Sequence, residues 1–156
     1  NMYSGNYLRT EGTNGVLNFG KQFTQRPTRL KGYFKYTSVE INKSNDEMKY
    51  LIGQPDTCQI FIALGDWSEP VEIRTKPSDR KLFDKNDPHI IAYADMYSGK
   101  SVNEYTPFTL ELEYRDTDRI PTYIVVVASA SKYGDYFTGG DGSVLFLDDF
   151  TLEYDY

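Results

Sequence analysis

Side-chain alternation with a period of two is the feature that most limits what this chain can become. In residues 108–114, Phe108, Leu110, Leu112 and Tyr114 alternate with Thr109, Glu111 and Glu113. One face of such a strand meets a core and the other meets water, the pattern of an antiparallel sheet. Residues 120–130 contain the continuous apolar run Tyr123-Ile124-Val125-Val126-Val127-Ala128, which predicts a central strand covered on both faces. Residues 56–64 and 90–97 read similarly, and 71–75 adds a shorter strand opened by Pro70. No segment keeps helical periodicity over three turns, and clusters of Gly, Pro, Asn and Asp separate the strands. The expectation is an all-β domain, an antiparallel two-sheet β-sandwich.

The last strand needs an irregularity. Leu145 and Leu147 share one parity whereas Phe150, Leu152 and Tyr154 share the other, so a constant core face requires a bulge at Asp148-Asp149. Residues 76–88 form a long polar loop carrying two apolar side chains, and Ser44 with Glu47 is placed to cap one helical turn. Residues 1–14 read as a separate N-terminal segment, an added strand or a linker, before a single domain over 15–156.

At 156 residues the chain has the length of one domain with one substantial core. The formal charge of −6, with neither sign gathered in a block, argues against a nucleic-acid partner, which needs a positive face. No apolar run reaches the ~20 residues of a membrane span. The first residues do not read as a signal peptide, and Asn1-Met2-Tyr3 reads as a cut inside a longer chain or a processed protein. The single cysteine, Cys58, sits in an apolar alternation and is expected as a buried thiol. With one His and one Cys, a triad through His89 or a usual zinc site is disfavoured. Paired carboxylates such as Glu111 and Glu113 keep a glycosidase reading open, although alternating Glu is ordinary on a solvated strand face.

Aromatic side chains, 14 Tyr, 9 Phe and 1 Trp, outnumber what a core of this size needs. Flat rings cover the C–H face of a pyranose while polar side chains meet its hydroxyls. Candidate ligand-binding residues are Trp67 with Asp66 at a strand end, Tyr33 and Lys35 on one strand face, and Asp95 with Tyr97 on another. Tyr133 and Tyr136 belong to a loop rich in aromatics and turn residues. Each has a plain alternative: Trp67 closing the end of the sandwich, Asp95 satisfied by a tyrosine, the loop glycines serving tight turns.

Three stretches carry a resemblance. They are Arg26-Pro27-Thr28-Arg29-Leu30-Lys31-Gly32-Tyr33-Phe34-Lys35-Tyr36, Asp56-Thr57-Cys58-Gln59-Ile60-Phe61-Ile62-Ala63-Leu64, and Gly142-Ser143-Val144-Leu145-Phe146-Leu147-Asp148-Asp149-Phe150-Thr151-Leu152-Glu153-Tyr154. Together they resemble the putative carbohydrate metabolism domain of secreted proteins in Bacteroides-type bacteria, over roughly residues 15 to 156. The resemblance implies a jelly-roll, galactose-binding-domain-like fold similar to carbohydrate-binding modules. It also implies an extracellular, cell-surface or periplasmic location. Such modules often hold a structural calcium, for which Asp149 is the candidate ligand; the alternative is a bulge whose carboxylates accept backbone N–H groups. No other cofactor is expected. The reading is a non-catalytic glycan- or polysaccharide-binding module beside neighbouring domains of a longer chain. The alternatives are a structural or adhesin-like protein-interaction domain and a glycosidase using paired carboxylates.

Overall fold

The computed structural model describes residues 2–11 and 14–155. Its strands are β1 (Met2–Tyr3), β2 (Gly5–Glu11), β3 (Asn14–Phe19), β4 (Lys21–Gln22), β5 (Arg29–Thr37), β6 (Cys58–Gly65), β7 (Val71–Arg74), β8 (Ile90–Ser98), β9 (Val102–Glu111), β10 (Glu113–Tyr114), β11 (Tyr123–Ser129) and β12 (Val144–Glu153). The strand pairs are antiparallel. A central sheet runs β1-β11-β6-β8-β10, with β4 also on β11; a side sheet runs β12-β5-β9, and a small sheet β2-β3-β7. The expected sandwich is the central sheet packed on the side sheet, and the small sheet adds a partial third layer.

Two apolar layers follow from this stacking. Cys58, Ile60, Ile62 and Leu64 of β6 face Leu30, Phe34, Phe108 and Leu110 of the side sheet. Their neighbours in sequence, Phe61 and Ala63, face the opposite way and join Phe19, Ile73, Trp67 and Val125. Because β6 is covered on both faces, it has no polar parity to show. Each Leu, Ile or Phe enclosed this way contributes about 1.5–3 kcal/mol. Cys58 lies within the first layer, where burial pushes its thiol up to about 11.

Residues 108–114 do not form one strand. Phe108, Leu110 and Leu112 keep their inward parity, but β9 pairs with β5 and β10 pairs with β8. Leu112, between them, donates its N–H to the Thr28 carbonyl (3.0 Å), so the segment passes from one sheet to the other around the edge of the core. The bulge in β12 is where parity required it. Register shifts between Asp148 and Thr151, and Asp149 takes a left-handed φ of 52°. The helical turn is a 3-10 turn over Asp46–Leu51, and its cap is Asn45, whose side chain accepts from the Met48 N–H, rather than Ser44.

Two loops, residues 38–56 and 131–143, are tied together by one buried carboxylate. Asp56 is 1% exposed. Its Oδ1 accepts from the Thr57 N–H (2.9 Å), and its Oδ2 accepts from the Ser131 hydroxyl (2.6 Å), the Gly140 N–H (2.8 Å) and the Ser143 hydroxyl (2.8 Å). The Asp56 carbonyl takes the Ser38 hydroxyl (2.7 Å). Removing the carboxylate orphans several buried donors at once. Asp56→Ala should therefore lower unfolding free energy by about 3 kcal/mol or more in urea titration; an unchanged midpoint would contradict this account.

Candidate functional site

The small sheet covers only part of the central sheet. Beside it lies an open groove of about 440 Å³, whose floor is Gln59 and Phe61 of β6, Tyr93 and Tyr97 of β8, and Val127 and Ser129 of β11. Register explains why these residues meet: Tyr97 lies opposite Gln59, which lies opposite Ser129, and Asp95 lies opposite Phe61, which lies opposite Val127. One wall is the segment 82–86, and the other is Ser131, Lys132, Asp135 and Tyr136. The second wall is the loop that Asp56 holds.

The floor is firm and the rim is polar. Phe61 stacks between Phe83 (ring centres 5.1 Å apart) and Tyr93 (5.9 Å). Thus the two apolar residues of the long loop, Leu82 and Phe83, anchor it against the central sheet. Lys132 sets its ammonium 4.2 Å from the centre of the Tyr97 ring and 5.2 Å from that of Tyr133, a cation shared between two rings. The Tyr93 and Tyr97 hydroxyls both donate to Asp95 Oδ2 (3.1 and 3.2 Å). Burial first, and the Asp95 charge second, push both phenols above the usual tyrosine range.

Asp135 differs from the other carboxylates at the groove, Asp84 and Asp95, which accept from the Asn86 N–H and from the two tyrosine hydroxyls. It lines the groove, and among the described residues it makes no hydrogen bond or ion pair. Burial raises its pKa, which the nearby Arg80 offsets only in part. Arg80 stacks its guanidinium 4.3 Å from the Tyr136 ring centre and pairs through Nη1 with Glu47 (2.9 Å), while its Nε and Nη2 are buried without a partner. Asp84 and Lys85 add one charge of each sign at the opposite wall.

The residues singled out in the sequence fall in three places. Tyr97 and Tyr136 line the groove, with Tyr133 at its rim and Asp95 beneath the Tyr97 hydroxyl. Trp67 does not stand at a rim; it is 7% exposed, and its Nε1–H donates to Asp87 (3.0 Å). Its ring lies so close over Gly65 that a Cβ there would be 2.3 Å away. Asp66 is a latch between strand ends, taking Arg119 Nη1 (3.0 Å) and His89 Nδ1 (2.8 Å). Since a carboxylate only accepts, the His89 Nδ1 is the donor. Burial alone would raise the pKa of Asp66, but the bonds from His89 and Arg119 outweigh it and hold the group below the usual carboxylate range. Tyr33 and Lys35 point outward from the side sheet, away from the groove.

Asp149 forms the β12 bulge, and among the described residues no group of three or more His, Cys, Asp or Glu side chains is arranged to hold a metal ion. No helix among them is long and apolar enough to cross a membrane. Gln59, Ser129, Ser131 and Lys132 were not among the residues the sequence pointed to, and Asp135 was marked there only as part of the loop that carries Tyr133 and Tyr136. Gln59 carried a signal, as the lone polar side chain within an apolar strand.

The fold is found in two solved structures described as putative glycoside hydrolases. One, from Bacteroides thetaiotaomicron, aligns with a TM-score of 0.69 at 22% identity over 92% of this chain and 48% of its own. The other, from Bacteroides vulgatus, aligns at 0.67 and 22% over 90% of this chain and 64% of its own. This chain therefore spans less than two thirds of either, and the likeness is one of fold. No curated protein matches the sequence. A family model described as the putative carbohydrate metabolism domain matches residues 1–153, and the chain belongs to that family.

Proposed function

We propose that this domain is a non-catalytic carbohydrate-binding module of a secreted or surface-attached bacterial protein, and that it takes a glycan chain in the groove on the central sheet. The observation that carries the reading is the interleaving of rings and polar groups along one open groove: Phe83, Tyr97 and Tyr136 beside Gln59, Ser131, Lys132 and Asn86. A pyranose ring presents C–H faces to the aromatics and hydroxyls to the amide, hydroxyl and ammonium groups. Phe61 and Phe83 are already packed against each other, so little ordering is left for the ligand to induce. The groove is open along its length, which keeps affinity modest.

A glycan array followed by titration calorimetry tests this. Tyr97→Ala and Tyr136→Ala should each weaken the best glycan about tenfold, while Trp67→Phe should act on melting temperature rather than on affinity. No glycan bound, or equal binding by both alanine variants, removes the reading.

One observation favours a second reading. A carboxyl with a raised pKa facing a cavity is what a general acid requires, and Asp135 shares the groove with Asp84. This arrangement and the description of the two structural neighbours support glycoside hydrolysis. Release of reducing sugar by the wild-type protein, abolished in Asp135→Asn, would replace binding with catalysis as the function.

The same group sets a pH dependence. Because folding raises the Asp135 pKa, its contribution to stability is fully present below the unfolded carboxylate value of about 4 and is lost as pH rises through the folded value. Asp135→Asn should therefore melt higher than wild type at pH near 7, with the gain vanishing toward pH of about 3. Equal melting temperatures at neutral pH would show that the group is freely solvated.

A further inference from the structure

The groove uses neither Tyr33 nor Lys35, and their surroundings point to a separate surface. On the solvent face of the side sheet, Lys35 of β5 lies between Phe146 of β12 and the Tyr105 ring of β9, with its ammonium 4.5 Å from the first ring centre and 5.0 Å from the second. One step along β5, Tyr33 lies opposite Asp148 and Pro107. Tyr33, Tyr105 and Phe146 are 42%, 48% and 42% exposed. Single exposed rings are ordinary, but three on one sheet face around a cation form a patch that the two core layers do not need.

Charge separates Lys35 from its neighbours on the same strand. Arg29 is neutralised by Glu111, Glu153 and Asp155, and Lys31 reaches Glu153. Among the described residues Lys35 has no carboxylate partner, only its two rings. The protein thus presents a positioned cation without an ion-pair partner between two flat apolar surfaces, with Asp148 further along the same face. We infer that this strip is a second glycan-binding surface, selective for chains of uronic acids: a sugar carboxylate pairs with the Lys35 ammonium while the C–H faces of the flanking rings cover Tyr105 and Phe146. A single ammonium fits one carboxylate at a time. A densely sulfated chain calls for a cluster of cations, which a chain of net charge −6 lacks. That overall charge acts weakly at the strip, since screening at physiological salt limits its reach to about 8 Å. The inference shares with the groove reading only the carbohydrate class of the partner and rests on different residues.

Affinity electrophoresis and calorimetry of the full chain test it, with polygalacturonate as the uronate probe, heparin as the sulfated one and dextran as the neutral one. Polygalacturonate should retard the protein, less so as NaCl is added. Lys35→Gln should weaken binding about tenfold while Lys35→Arg retains it, and Tyr105→Ala with Phe146→Ala should abolish it. Amide resonances of β5, β9 and β12 should shift with the probe and those of β6 and β8 should not, which separates this surface from the groove. Four results would overturn the inference: no retardation, equal retardation of Lys35→Gln, stronger binding of heparin or dextran, or self-association in sedimentation velocity that Phe146→Ala removes. The last would assign the face to a second copy of the chain.

Discussion

The carboxylate of Asp56 is the point on which the arrangement of the groove depends. It precedes the middle strand of the central sheet, and it gathers donors from residues 57, 131, 140 and 143. A charged acceptor with that many donors is stronger than the neutral hydrogen bonds around it. The loop that contributes Lys132, Asp135 and Tyr136 to the groove is rich in glycine and has no apolar anchor comparable to Phe83. Asp56 supplies the anchor by electrostatics instead, so the two walls of the groove are held by different physics.

Covering the central sheet on both faces has a second consequence. The side sheet covers one face, and the small sheet covers only part of the other. Where the cover stops, the floor changes from Phe61 and Val127 to Gln59 and Ser129 along the same parity. The groove is thus the exposed remainder of a face whose other half is core. Its aromatic residues serve both ends, since Phe61 and Tyr93 pack inside the second apolar layer and also pave the site.

Much of the fold was legible in the sequence, because its signals are local. Alternation in residues 108–112 identified the buried face correctly, and the parity change after Leu147 located the β12 bulge. The path of residues 108–114 across two sheets was not legible, because inward parity is the same whichever sheet supplies the hydrogen bonds. Within the site, Tyr97 and Tyr136 stood out as aromatics beside polar residues, and the structure brings them to one groove. Trp67 stood out for the same reason, and the close approach of its ring to Gly65 turned it inward. A ring beside turn residues looks the same in sequence whether it leans over the strand end or away from it.

Period-two patterning and turn chemistry by themselves determined that this chain forms antiparallel strands, which side chains of the half-exposed strands go inward, and where β12 must bulge. Only the tertiary structure decided which outward residues share a surface. Gln59, Tyr97 and Ser129 are far apart in the chain and meet because β8, β6 and β11 pair in one register. Tyr105, Lys35 and Phe146 meet through the pairing of β9, β5 and β12. Alternation is a local property of one strand, and it carries no record of the neighbour that strand will choose.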